Sequence, residues 1–185
     1  MNPAQPILSL EAELALLGIT GPFAAFLNAQ HKLASALDQA GDVLRVTRAG
    51  ADRFLLGFQC RTLIGSNQRD CRAADCRVMA GIWFPQDYLR RASTAEVVTL
   101  LDPRVFHPNL RGGVFCFELK PGMGLRDLAH VIYELLSWQT VNTVHGLDDE
   151  ALDWARVNRN LWPLDTRPLF SKRAPAADKE DTGHV

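Results

Sequence analysis

Between Val43 and Leu101 the chain reads as four short strand-like segments in succession, with turn residues between them and no helical period breaking the series. Val43 to Thr47 alternates apolar and polar residues up to the turn Ala49-Gly50-Ala51-Asp52. Phe54 to Leu63 and Arg77 to Phe84 follow, joined by a polar connection from Gly65 to Asp75, and Pro85 closes the third segment because proline cannot donate to a ladder. Glu96 to Leu101 supplies the fourth before Asp102-Pro103 turns the chain. Strands grouped in this way, rather than alternating with helices, predict an α+β fold built on a four-stranded antiparallel meander.

Helical spacing lies on either side. Residues 7 to 17 mix Leu, Ala and Glu as a short helix would, and Phe23, Phe26, Leu27, Gln30, Leu33, Ala34 and Leu37 recur on one face until Gly41 stops the pattern. Leu125 to Trp138 is amphipathic, and Asp148-Asp149-Glu150 prepares a helix over Ala151 to Asn158. These limits divide the chain into an extension at 1–20, one domain at 21–170, and a polar tail at 171–185 whose composition predicts disorder.

A chain of 185 residues, 47% hydrophobic and 22% charged, can bury its own core. Net charge is -1 and the pI about 6.5, so no global basic field draws it to nucleic acid or acidic membranes. The N-terminus lacks a basic n-region and carries Glu11 and Glu13 in its apolar run, and no segment approaches the roughly 20 apolar residues a membrane helix requires. A cytoplasmic address is the expectation, with Cys60, Cys71, Cys76 and Cys116 as free thiols. Cys71 and Cys76 have the spacing of a loose zinc half-site, without a comparable second pair. Basic residues are nearly all arginine, an association with bacterial coding sequences.

The chemistry is concentrated in Phe106 to Cys116, FHPNLRGGVFC. A His-Pro-Asn tripeptide, a glycine turn and a cysteine nine residues after the histidine follow Phe84-Pro85-Gln86-Asp87-Tyr88 by about twenty residues, and LDDEAL stands downstream. Over roughly residues 21 to 165 this order resembles the ubiquitin-conjugating enzymes. The resemblance implies their fold and their relay: a ubiquitin-like modifier passes from an activating enzyme to Cys116 as a thioester, then to an amine of a target protein. It also implies that no cofactor and no metal takes part.

By the same resemblance Cys116 is the thioester-forming residue, Asn109 the donor to the oxyanion, and His145 a candidate for orienting or deprotonating the incoming amine. His107 orders the loop, Pro108 fixes the backbone beside it, and Asp148 and Asp149 read first as helix caps. The chain departs from the family where Tyr88-Leu89-Arg90-Arg91-Ala92 replaces a proline-rich run, and where Gly124 and Leu125 stand in place of a tryptophan. Such departures suit a divergent bacterial member that works without a separate ligase, of the kind encoded in antiphage conjugation operons. A silent scaffold of the same fold that binds ubiquitin-like proteins is the competing reading; such relatives lack the cysteine.

Overall fold

The computed structural model describes residues 8–170. The expected tail at 171–185 lies outside the described residues. Helix α1 spans Leu10–Leu16 and α2 Gly21–Asp38; strands β1 Leu44–Arg48, β2 Arg53–Ile64 and β3 Arg72–Trp83 follow. A helical turn α3, Thr94–Val97, leads into β4, Val98–Asp102, then come the two-residue strands β5, Leu110–Arg111, and β6, Val114–Phe115. Helices α4, Leu125–Leu136, and α5, Asp149–Val157, come next, and a single 3-10 turn, Arg159–Leu161, ends the order.

One antiparallel sheet runs β1-β2-β3-β4-β6-β5. The α+β class and the meander stand, with six strands in place of four. The extra pair comes from the segment after Phe106, whose strands are too short to show a period. The third strand begins at Arg72 rather than Arg77, so the connection from β2 is only 65–71 and Cys76 stands opposite Cys60 in the ladder. The fourth begins at Val98, since Thr94–Val97 winds into a turn that Ser93 closes by accepting from Val97.

Alternation along β2 sends Phe54, Leu56, Phe58 and Cys60 inward, where α2 and α4 cover them. On α2 the buried stripe is Phe23, Leu27, Gln30, Ala34 and Leu37. Gln30 is polar for a reason: its Oε1 accepts the Leu125 N–H at 2.8 Å, capping α4, whose own N-cap is a glycine with no side chain to offer. A Cβ on Gly124 would sit 2.9 Å from that oxygen, so the glycine makes room for the cap. Phe84 and Tyr88 are both buried beside Phe26, and the Tyr88 hydroxyl donates to the Met123 carbonyl at 2.8 Å, tying the chain just after β3 to the entrance of α4.

A smaller core forms at the far end of the sheet. Leu63, Phe106, Trp138, Ala151 and Ala155 pack together with Trp154 against them, joining the end of β2, the His-Pro-Asn segment and α5. Trp138, just beyond α4, has φ of 60°, so the chain leaves the helix with the indole driven into this cluster. No helix among the described residues is long and apolar enough to cross a membrane.

Candidate functional site

The segment leading to the tripeptide is stitched to the end of β2: Gly65 N–H donates to Arg104 O at 3.0 Å and Phe106 N–H to Leu63 O at 2.9 Å. His107 then turns inward and is fully buried, its ring 4.6 Å from Trp138 in an edge-on arrangement. Its Nδ1 accepts the Asn109 N–H at 3.0 Å, which closes the turn around Pro108. Nε2 faces the Thr140 carbonyl without completing a hydrogen bond. Burial pushes the imidazole pKa down to about 3, so the ring is neutral at physiological pH and acts as a structural wedge, in agreement with the ordering role expected for it.

Beyond Asn109 the chain forms a tight hairpin. Leu110 pairs with Phe115 and Arg111 with Val114, leaving Gly112 and Gly113 as a two-residue turn with φ of 57° and 88°. Both positions demand a left-handed backbone, which glycine supplies without a steric cost. The same register carried one step further sets Asn109 opposite Cys116, and the Cys116 N–H donates to the Asn109 carbonyl at 2.8 Å. The spacing of asparagine and cysteine is thus the register of a glycine-turned hairpin.

Strand alternation decides which way the thiol points. Phe115 is buried in the main core, so Cys116 is turned to the opposite side and is exposed. The other thiols differ: Cys60 is wholly buried with its pKa pushed up to about 12, chiefly by desolvation, and burial likewise raises Cys71 and Cys76. This exposure sets Cys116 apart from the three other thiols.

Asn109 is nearly buried, at 3% exposure, and its amide oxygen accepts the Asn142 N–H at 3.1 Å. That fixes the amide orientation, leaving Nδ2 as the free end, with no protein acceptor among the described residues. Asn142 continues the chain of contacts: its Oδ1 accepts from Val144 N–H at 2.9 Å and His145 N–H at 3.0 Å. Leu147 and Asp148 donate their N–H groups to the Pro108 carbonyl at 2.7 and 3.2 Å. Arg156 on α5 holds the Thr143 carbonyl through Nε and Nη2, at 3.2 and 3.0 Å.

His145 therefore belongs to a loop docked on the His-Pro-Asn turn, but its imidazole is exposed and makes no hydrogen bond among the described residues. The structure joins Cys116 and Asn109 directly; His145 joins them only through its backbone. Asp148 caps α5 by accepting the Ala151 N–H at 2.9 Å, as its position before the helix suggested. Asn142 was missed from the sequence, as was the close approach at Gly146, which the sequence places beside His145 in this loop. The signal for Asn142 was its place two and three residues before amides an Asx turn would bind; for Gly146 no local signal exists, since a Cβ there would meet the Pro108 carbonyl at 2.9 Å, a contact made across the fold.

No protein-family model matches the chain, and no curated protein sequence matches it. Among solved structures, the fold is similar to the E2 domain of a Toxoplasma gondii ubiquitin conjugating enzyme, at 15% identity and a TM-score of 0.49, over 72% of this chain and 89% of that one.

Proposed function

We propose that this protein is a ubiquitin-like-protein conjugating enzyme of the cysteine thioester type, with an activating enzyme, a ubiquitin-like modifier and a target protein as its partners. The observation that carries the reading is the glycine-turned hairpin that sets the exposed Cys116 against Asn109 while Asn142 occupies the amide oxygen. The Cys116 thiolate attacks the modifier's C-terminal thioester carbonyl, the old C–S bond breaks, and the thiolate of the activating enzyme leaves. In the second step an amine attacks the Cys116 thioester, the C–S bond breaks, and an amide forms as the thiolate departs. In each tetrahedral state the Asn109 Nδ2–H donates to the oxyanion, an interaction worth roughly 3 to 4 kcal/mol in comparable sites. The proton lost by the amine goes to water or to the exposed imidazole of His145.

The test is a non-reducing gel after incubation with an activating enzyme, its modifier and ATP. Wild type forms a thiol-sensitive adduct, Cys116→Ser a more durable oxyester, and Cys116→Ala none. An adduct that survives Cys116→Ala refutes the relay. Binding of modifier without any adduct supports a silent scaffold.

A further inference from the structure

The β2–β3 hairpin outruns both of its neighbours in the sheet. Strand β1 reaches only as far as Leu44 opposite Phe58, and β4 only as far as Asp102 opposite Met79. Beyond those points the two strands continue to pair with each other down to Ile64 and Arg72, and within this stretch Cys60 stands directly opposite Cys76.

The bonds on either side of Cys60 fix the geometry of that pair. Gln59 N–H donates to Val43 O at 2.7 Å, the Gln59 carbonyl accepts from Arg167 at 3.0 Å, and Arg61 N–H donates to the Asp165 carboxylate at 3.0 Å. Gln59 and Arg61 thus turn their backbone groups away from β3, and Cys60 between them turns its own toward Cys76. A hydrogen-bonded antiparallel pair of this kind sets its Cα atoms about 5.5 Å apart, a common spacing for disulfide-linked cysteines. Side-chain direction agrees: Cys60 continues the inward face of Phe58, and Cys76 shares a face with the buried Val78, Ala80 and Ile82. Access is unequal, because Cys60 is wholly buried while Cys76 is half-buried, on the part of β3 that β4 does not reach. Neither Cys71, in the connection between the strands, nor Cys116 has a cysteine opposite it. Two thiols without a third His, Cys, Asp or Glu beside them among the described residues do not make a zinc site.

We propose that Cys60 and Cys76 form a dithiol site that takes a small-molecule disulfide of the glutathione class and is converted by it to a cross-strand disulfide. The Cys76 thiolate attacks one sulfur of the small disulfide, forming a mixed disulfide and releasing one small thiolate. The Cys60 thiolate then attacks the Cys76 sulfur, the mixed S–S bond breaks, and the second small thiolate leaves. The two protein thiol protons pass through water to the released thiolates; the protein gives up two electrons and the small disulfide takes them. Burial holds both thiols above their ordinary range, so the exchange quickens as pH rises. The hairpin end that the bond ties carries the Leu63 and Gly65 bonds to Phe106 and Arg104, which places the bond behind the segment leading to the tripeptide. Cys116 takes no part in this chemistry, which stands or falls apart from the thioester reading.

The test equilibrates the folded wild-type protein in buffers of reduced and oxidised glutathione, quenches with acid, alkylates the unfolded chain and maps the cysteines by mass spectrometry. More than half of the chains carry the Cys60–Cys76 bond at a redox ratio that leaves no free Cys116 thiol. In Cys60→Ser, shown by its thermal unfolding to be folded, Cys76 stops at the mixed disulfide with glutathione; in Cys76→Ser, Cys60 stays reduced. The wild-type map decides the matter even where a serine variant does not fold. A wild-type Cys60 that remains reduced at that ratio, or is joined to Cys71 or Cys116, overturns the proposal. Glutathione on Cys60 in folded Cys76→Ser overturns the entry through Cys76.

Discussion

Replacing Gly146 by alanine isolates the contact that seats the His145 loop. The new Cβ would lie 2.9 Å from the Pro108 carbonyl oxygen and 3.4 Å from both the Pro108 carbonyl carbon and Cβ. Two of these neighbours are backbone atoms in the turn that His107 pins, so they do not yield as a flexible side chain would. The loop must retreat, and the two hydrogen bonds that the Pro108 oxygen accepts, from Leu147 and Asp148, lengthen or break. At about 1 kcal/mol net for each bond, the local cost is about 2 kcal/mol. Native-state hydrogen exchange reads this directly: the Leu147 and Asp148 amides exchange about 30-fold faster, since 1.4 kcal/mol corresponds to a factor of ten. The α4 amides serve as an internal reference. Gly50→Ala is the control substitution, because its Cβ meets nothing nearer than 3.8 Å. If the Leu147 and Asp148 amides in Gly146→Ala exchange within twofold of wild type, the close approach of loop and turn is not the constraint described here.

Asn109→Asp retains an oxygen for the Asn142 N–H and removes the Nδ2–H donor, so thioester transfer falls by about two to three orders of magnitude while hydrogen exchange of the 140–148 loop stays near wild type; loss of loop protection in step with activity would reassign Asn109 to a structural role. His107, with its folded pKa near 3 against about 6.5 unfolded, binds no proton in the native state where the unfolded chain does. Its contribution is therefore neutral above pH 6.5 and increasingly destabilising as pH falls from 6.5 toward 3, by up to about 1.4 kcal/mol per pH unit. Urea unfolding of wild type and His107→Gln across that range should show the difference, and parallel pH profiles would contradict it. Gln30→Ala leaves the Leu125 N–H without its cap and opens space beside Gly124, costing about 2 kcal/mol and lowering Tm by about 4–8 °C in a thermal scan; an unchanged Tm would remove Gln30 from the account of how α4 begins.

How far the sequence reached is clearest at the thiol. The tripeptide, the two glycines and the cysteine are adjacent in sequence, and they made Cys116 and Asn109 candidates without coordinates. The β5–β6 hairpin that links them was not seen as strands, because two residues show no alternation, although Gly112-Gly113 is the turn such a hairpin needs. The start of β3 was misplaced for a related reason: Arg72 to Cys76 is too polar to show its inward face, and only pairing with β2 holds it in the sheet.

The sequence by itself determined what is periodic or local: the meander, the amphipathic helices, the Asp148 cap and the glycine turn between asparagine and cysteine. Tertiary structure decided what depends on atoms far apart in the chain. Only the fold sets the Asn142 N–H on the Asn109 amide, Gly146 against Pro108, Gln30 on the first turn of α4, and Cys60 across from Cys76. Hydrophobic burial repeats along a strand or helix and so leaves a pattern in sequence. A single hydrogen bond or close approach between two loops has no period, and becomes visible only when the chain has closed on itself.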